Sequence, residues 1–418
     1  MLNSETILFQ NNNFSFKLNH LIIVGVLVLA FSTSFLIRSQ GAEYGNELNE
    51  FDPFFNFRAT EYIVENGLSE YFEWHDDKSW YPYGRDVSAT SQILLHITTA
   101  LSYELFGGNS SLYDFTIIFP VVIGSLTVIV IFALVRLFAG TTAGLIASLL
   151  FAISLPVIVR GTIGWFKSEP LGIFYALLGL YLFLSAINSK NSKIVISKII
   201  LGGIVMSFGL SSWGGNQFFI MPIGLFILAL PFFRKDHKFL LWTVPLFVTI
   251  FILTSSMFER PGLSFAYGLG GISLIIPTIF LVICIFVQKI SKDKNKIRNS
   301  VFLLFSIILI GSFAVIVGSE SDILPIPSFR YLNTINPFMT TEDALVDSVA
   351  EHATTSTELS FIFNSIFMIF AGIGIWIILS KKETKNKIFM ENDMKVFVLI
   401  LGLVGIYISS AFVRLEIF

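Results

Sequence analysis

Apolar runs of about membrane-spanning length recur from end to end of the chain, near residues 20–37, 90–106, 115–138, 141–159, 169–187, 197–213, 215–232, 239–257, 268–289, 300–318, 360–380 and 394–413. A helix needs about 20 apolar residues to cross the roughly 30 Å hydrocarbon layer. Inside lipid its backbone groups must be satisfied within the segment, so such runs fold as helices. With 54% hydrophobic and 13% charged residues among 418, the sequence excludes a soluble globular fold and predicts an all-α polytopic membrane protein. The net charge of −2 offers no bulk attraction to nucleic acid. Cys284, the one cysteine, lies in an apolar run and reads as an inert buried thiol. The pairs Gly202–Gly203 and Gly270–Gly271 read as points of close helix packing. The polar stretch Met1–Asn19 precedes a run, His20–Ile37, with no small-residue cleavage pattern after it, which predicts a retained first span.

Charge orients the spans. Basic residues gather in four short loops: Lys190/Lys193/Lys198, Arg234/Lys235/Lys238, Lys289/Lys292/Lys294/Lys296/Arg298 and Lys381/Lys382/Lys385/Lys387. The positive-inside rule places all four in the cytoplasm, and two apolar runs separate each successive pair. Loops 160–168 and 319–359 then face the other side. If 90–106 spanned, the acid-rich loop before it, with only Arg38, Arg58, Lys78 and Arg85, would be cytoplasmic. That segment carries Ser91, Gln92, His96, Thr98, Thr99, Ser102 and Glu104, with Leu94, Ile97, Leu101 and Leu105 at helical spacing, the pattern of an amphipathic interfacial helix. The expectation is about eleven spans, a cytoplasmic N-terminus and three extracytoplasmic loops, 38–114, 160–168 and 319–359, the first and third of them long. No span carries a charge near its middle, which disfavours an ion-coupled transporter.

Chemistry therefore falls to the loops. The first opens with Glu50-Phe51-Asp52-Pro53-Phe54-Phe55-Asn56-Phe57-Arg58 and runs to Ser79-Trp80-Tyr81-Pro82-Tyr83-Gly84-Arg85. An acid at the mouth of a span, aromatics and two arginines suit a divalent metal and an anionic group near lipid; an interfacial aromatic belt with a solvated acid has the same composition. In the second loop, Glu169 precedes Pro170 at a helix start, where a carboxylate also simply favours the helix dipole. The third carries Ser348-Val349-Ala350-Glu351-His352, in a loop long enough to be functional or a flexible connector. Arg414 follows the last run on the outer side, as an anion contact or a snorkelling side chain. The five histidines show no metal-ligand spacing, and no phosphate loop or nucleophile elbow occurs.

Taken together these residues resemble the catalytic subunit of oligosaccharyltransferase, in its archaeal and eukaryotic branches. The resemblance rests on Asp52-Pro53 with Asn56 and Arg58, the run Ser79–Arg85, the Gly-aromatic-aromatic stretch ending at Glu169, Ser348-Val349-Ala350-Glu351, and Val413-Arg414-Leu415, in that order. It implies a GT-C type glycosyltransferase transmembrane domain that inverts the anomeric centre. The donor would be an oligosaccharide on a dolichol-type lipid phosphate or diphosphate, and the acceptor the Asn side-chain amide of Asn-X-Ser/Thr in a polypeptide. Asp52, Glu169 and Glu351 would hold Mg2+ or Mn2+, and Asp52 and Glu351 would also accept the acceptor amide N–H groups. Arg414 would hold the lipid phosphate and Ser348 the acceptor peptide, while Trp80 and Tyr81 would face the lipid carrier. Arg58 and Arg85 are further candidates.

One departure falls inside a matched motif: Lys167 stands where the family usually carries an acid. An ammonium cannot ligate a metal. The preferred expectation turns Lys167 toward the donor phosphate, the alternative toward a nearby acid in a salt bridge. The resemblance also implies two more spans and a soluble C-terminal domain with a Trp-Trp-Asp motif, absent from residues 1–418, so a fragment of a longer protein is expected. The site would face outward at the cell membrane, or the lumen of the endoplasmic reticulum in a eukaryote. Two alternatives are another multispan lipid-sugar-dependent enzyme, such as a protein O-mannosyltransferase, and a non-enzymatic transporter. The former type pairs adjacent acids in its first outer loop, whereas Phe51 and Pro53 flank Asp52 here.

Overall fold

The structure is a computed structural model that describes residues 7–11, 14–320, 355–364, 366–380, 392–411 and 415–417. It divides into two compact units, Met1–Tyr181 and Leu182–Phe418.

In the first unit an antiparallel pair, β1 (Ile7–Asn11) and β2 (Phe14–Lys17), leads into α1 (Leu18–Ser39). α1 leaves Leu21, Val24, Val28, Leu29 and Leu36 exposed, a surface suited to lipid. Its other face packs along α6 (Leu112–Ala152). Forty-one residues of helix would reach roughly 60 Å, about twice the hydrocarbon thickness. Gly140, at φ 86° and ψ 175°, breaks the run in a conformation that side chains rarely adopt. The two arms fold back on each other: a Cβ on Gly144 would lie 2.8 Å from the Phe132 carbonyl oxygen, and Ala30 of α1 packs with both Val128 and Ala152. The arms correspond to the two runs read in sequence as 115–138 and 141–159.

Arg38, in the last turn of α1, is wholly buried. It donates to Ser34 Oγ at 2.5 Å and the Val157 carbonyl at 3.4 Å. A Cβ on Gly124 would sit 2.7 Å from its Nε, so that crossing requires glycine.

Between α1 and α6 lie α2 (Phe51–Asn66), α3 (Leu68–Phe72), the paired short strands β3 (His75–Asp76) and β4 (Arg85–Asp86), α4 (Val87–Thr90) and α5 (Ile93–Phe106). With 14 residues, α5 reaches about 21 Å, short of a bilayer. Its polar side departs from the expected interfacial pattern, which its apolar side keeps in part. His96 and Thr99, read as the wet side, are completely buried, while Leu101, Leu105 and Phe106 are exposed. The reason is α2, which packs along α5 and supplies Asn56 as a hydrogen-bond partner for His96. Beneath these elements Leu48, Ile117, Phe119, Ile163, Phe166 and Leu171 form one buried cluster. α7 (Leu155–Val159) then leads through loop 160–168 to α8 (Glu169–Ile187).

The second unit contains α9 (Ser192–Ser212), α10 (Gln217–Phe233), α11 (His237–Ser256), α12 (Ser264–Tyr267), α13 (Leu269–Ile290) and α14 (Lys296–Glu320). Helices Thr357–Asn364, Ile366–Leu379 and Asn392–Ala411 follow. α9 packs on α11 and α10 on α13. Gly203 serves the first crossing, since its Cβ would lie 2.8 Å from Ile250. Gly270 and Gly271 instead abut Phe265 and Ala266 of α12, a local turn and not a crossing between spans. Cys284 is buried as expected. In the basic loop after α10, Arg234 bonds to Asp393 at 3.0 Å, Asp236 at 2.8 Å and the Ile187 carbonyl at 3.2 Å.

Among the described residues, eight helices are long and apolar enough to cross a membrane, or nine if Thr357–Asn364 and Phe367–Leu379 form one bent span. The expected count of about eleven is not reached by that criterion. It requires counting the arms of α6 separately and adding α14.

Candidate functional site

The start of α2 and the second outer loop are stitched together. Asn49 donates its backbone N–H to the Gly164 carbonyl at 3.0 Å and its side-chain amide to the Ile163 carbonyl at 2.8 Å. Gly164, at φ 76°, permits this approach, because a Cβ there would fall 2.1 Å from the Glu47 carbonyl oxygen. Further along, the Asn56 amide donates to the Phe166 carbonyl at 2.9 Å. Glu50 caps α2 at φ 69°, a left-handed conformation that strains a residue with a Cβ and is met most often at functional sites. Two residues on, Asp52 sits in the first helical turn, where the helix dipole favours its charge; Pro53 there lacks only an N–H that the helix does not use.

Lys167 closes the seam. Its ammonium pairs with Glu50, lies 3.6 Å from an Asp52 carboxylate oxygen and stacks 4.3 Å above the Trp165 ring. Lys167 is nearly buried, whereas the Asp52 side chain is 73% exposed. The salt bridge to nearby acids, the alternative of the two expectations, is the arrangement found. The physical reason is proximity: the Asn49 bonds bring two carboxylates within reach of one amine. Glu169 begins α8 only 1% exposed, with Arg160 Nη1 4.0 Å from its carboxylate.

The remaining first-loop candidates are engaged within the loop itself. Arg58 pairs with the buried Asp76 and donates to Ser79 Oγ at 3.2 Å. The Arg85 guanidinium stacks against the rings of Phe55 at 4.3 Å and Trp80 at 4.4 Å, and its nitrogens donate to Thr90 at 3.0 Å and Ser91 at 2.9 Å. Trp80, Tyr81 and Tyr83 are exposed, as an aromatic face toward lipid or a lipid carrier requires. His75, bonded to Asp86 at 2.6 Å and to the Tyr83 carbonyl at 3.2 Å, is raised above its ordinary pKa chiefly by the Asp86 bond.

His96 was invisible in the sequence as anything but a polar residue of α5. In the structure its ring nitrogens meet Tyr71 Oη at 2.7 Å and Asn56 Oδ1 at 3.0 Å. Burial, and secondarily the charge of Arg85, lowers its pKa to about 3. Asn49 and Glu50 find their partners more than 100 positions away, in contacts that no local sequence pattern displays.

The structure thus brings Asp52, Lys167 and Glu50 together, with Glu169 two residues from Lys167. Glu351, Ser348 and Arg414 lie outside the described residues. Among the described residues no group of three His, Cys, Asp or Glu is placed to hold a metal ion. With an ammonium beside Asp52, the described acids by themselves do not fit a divalent cation.

Comparison with known proteins places this arrangement. The family model for the N-terminal part of oligosaccharyl transferase STT3 matches residues 18–418. The STT3B subunit of dolichyl-diphosphooligosaccharide–protein glycosyltransferase from Arabidopsis thaliana is 26% identical over 99% of this chain and 56% of its own. The Dictyostelium discoideum STT3 subunit is 25% identical over 96% and 55%. Among solved structures, archaeal oligosaccharyltransferase AglB from Archaeoglobus fulgidus, in complex with an inhibitory peptide and a dolichol-phosphate, superposes with a TM-score of 0.71 at 17% identity, over 96% of this chain and 49% of that one. The same enzyme in the apo form gives 0.68 at 18% identity. The all-helical GT-C type membrane fold is shared with these structures, and the chain spans about half the length of the curated relatives it matches.

Proposed function

Because the chain belongs to the STT3 oligosaccharyl transferase family, we propose that it is the membrane catalytic part of an enzyme of asparagine-linked glycosylation. It transfers an oligosaccharide, with inversion, from a dolichol-type lipid phosphate or diphosphate to the Asn amide of Asn-X-Ser/Thr. The observation that carries this reading is the seam between α2 and the second outer loop, which holds an exposed carboxylate, Asp52, at the mouth of a membrane domain of the matching fold. The AglB structures support the substrate classes, one holding dolichol-phosphate and another an acceptor peptide with an NVT sequon.

Asp52 and Glu351 accept hydrogen bonds from the acceptor amide N–H groups, which weakens amide resonance and frees the nitrogen to attack the anomeric carbon. Arg414 holds the lipid phosphate through its planar fork of donors, and Ser348 places the acceptor peptide. The site faces the extracytoplasmic side, reached both by the lipid carrier in the bilayer and by polypeptide.

A Zn2+ ion and sulfate were captured in AglB. For this chain the oxygen donors Asp52, Glu169 and Glu351 belong to the class that takes Mg2+ or Mn2+. Since the acids described do not make such a site by themselves, a cation entering at Asp52 has to compete with Lys167.

The test is transfer of a lipid-linked glycan to an Asn-X-Thr peptide by the full-length protein in lipid, with and without Mg2+, Mn2+ or chelator. Wild-type transfer is expected, with Asp52→Ala and Glu351→Ala each reducing the rate on the order of a hundredfold or more. No wild-type transfer under any metal condition overturns the reading. Near-normal turnover of either variant removes that residue from it.

A further inference from the structure

A completely buried imidazole requires partners for both ring nitrogens, and those of His96 form a row with a single direction. The Asn56 amide gives its N–H to the Phe166 carbonyl, so it presents its oxygen to His96. Nε2 of His96 then carries the proton, and Nδ1 accepts the Tyr71 O–H. The row runs Tyr71 to His96 to Asn56 to the Phe166 carbonyl, joining α3, α5 and α2 to the second outer loop. Its ends are anchored. Tyr71 is fully buried, and Thr60 Oγ1 donates back to the Asn56 carbonyl at 2.8 Å, one turn along α2. The rings of Phe55 and Tyr71 meet the imidazole edge-on, with centroids 6.0 and 5.9 Å away, and fix its plane.

Asn56 stands four residues after Asp52, on the same face of α2. Phe166 is adjacent in sequence to Lys167, whose ammonium reaches Glu50 and Asp52. The row therefore ties the Asp52 turn to the segment that carries Lys167 and Glu169.

We propose that His96 is a positioning residue for glycan transfer: through Asn56 it sets the second outer loop against the Asp52 turn before substrates arrive. This rests on the assignment of Asp52 to the transfer reaction above. The imidazole acts as a neutral relay, donating at one nitrogen and accepting at the other. Protonation would turn Nδ1 into a second donor facing the Tyr71 hydroxyl and break the row's direction. Burial against Arg85 resists that change. Leucine could fill the space but not carry the row. Glutamine, with a carbonyl to accept and an amide N–H to donate, can carry it in part.

The experiment uses the full-length protein in lipid nanodiscs and two readouts. Backbone amide exchange of residues 162–168 reports loop docking without any substrate, and kcat and KM for lipid-linked glycan and Asn-X-Thr peptide report transfer. His96→Leu and Asn56→Asp are expected to speed exchange of the loop on the order of tenfold. They should lower kcat by about tenfold to a hundredfold, the range seen when the partners that orient a functional group are lost, with peptide KM within about twofold. His96→Gln recovers most of both. Tyr71→Phe, which keeps the ring and removes only the first O–H, gives a smaller change in the same direction and stands in if His96→Leu does not fold. Unchanged exchange in Asn56→Asp, or equal effects of His96→Leu and His96→Gln, overturns the proposal. If exchange responds but the wild-type protein transfers no glycan, the relay stands as a docking device, its catalytic role falls, and the proposed function falls with it.

Discussion

The Lys167 ammonium lies 3.6 Å from the Asp52 carboxylate while it pairs with Glu50. Because Asp52 is largely exposed, this ion pair contributes about 0–1 kcal/mol and cannot exclude a divalent cation. It can weaken the cation's hold, since 1 kcal/mol is about fivefold in affinity. Lys167→Ala leaves two carboxylates without their amine and is expected to lower the half-saturating Mn2+ concentration by about threefold to tenfold; Lys167→Asp lowers it further. Direct Mn2+ binding by the full-length protein, followed by electron paramagnetic resonance, measures this apart from activity. Unchanged Mn2+ affinity with impaired lipid-donor saturation in Lys167→Ala would instead assign the amine to the donor phosphate.

Arg58 is expected to matter for stability more than for chemistry. Asp76 is buried and takes bonds from Arg58, Ser79 and the Lys78 backbone N–H, so removing the guanidinium leaves a carboxylate without its counter-ion. Breaking such a pair from one side costs several kcal/mol when fully buried, and about 1–3 kcal/mol for this half-exposed arginine. Arg58→Ala should lower the melting temperature, and adding Asp76→Asn should restore much of it. A thermal melt of the two variants decides the matter: no rescue by Asp76→Asn would mean that Arg58 acts elsewhere.

The sequence carried the membrane class, because apolar length is a local signal, whereas the sidedness of the loops rests on Lys/Arg bias alone. It also carried the break near residue 140, since a helix of 41 residues without interruption would exceed the bilayer. It did not show that His96 and Thr99 on the polar side of α5 are buried. Periodicity records which residues share a face, and only the partner helix decides whether a polar face meets water or another polar side chain. Lys167 was legible as an anomaly but not as a partner of Glu50, since that contact depends on Asn49 and Gly164 drawing together segments 115 residues apart. The roles assigned to Glu351, Ser348 and Arg414 rest on the resemblance alone.

Acid should loosen the first outer loop through His96. Its folded-state pKa is lowered to about 3 by burial and Arg85, against about 6.5 when unfolded. A histidine kept neutral by folding contributes stability that is fully present above the unfolded value and is lost as pH falls toward the folded one. The window is pH 6.5 down to 3, and at pH 5 the loss is about 2 kcal/mol. His75 has the opposite sign, because its raised pKa stabilises the fold at low pH and that contribution disappears as pH rises through the folded value. Melting temperatures of wild type and His96→Gln between pH 7.5 and 5 separate the two. The wild type should lose more on acidification, and parallel curves would show that His96 does not remain neutral.

Residues 38–114 should lie wholly on one side of the membrane, opposite the basic loops. The site needs this, because Asp52 and the segment 163–167 meet only if the chain re-enters the bilayer for the first time after α1 at α6. α5 offers 14 residues, about 21 Å of helix, which leaves roughly 9 Å of the hydrocarbon layer uncrossed. Glu65 and Asn109 flank it at exposed positions, and Lys292 is exposed in a loop assigned to the cytoplasm. Cys284, the native thiol, is buried and contributes little background. In sealed vesicles, Glu65→Cys and Asn109→Cys should react with a membrane-impermeant maleimide from the same face, and Lys292→Cys from the other. Labelling of positions 65 and 109 from opposite faces would make α5 a span. The hydrogen bonds from Asn49 and Asn56 to the second outer loop would then be topologically impossible, and the assembled site would fall with them.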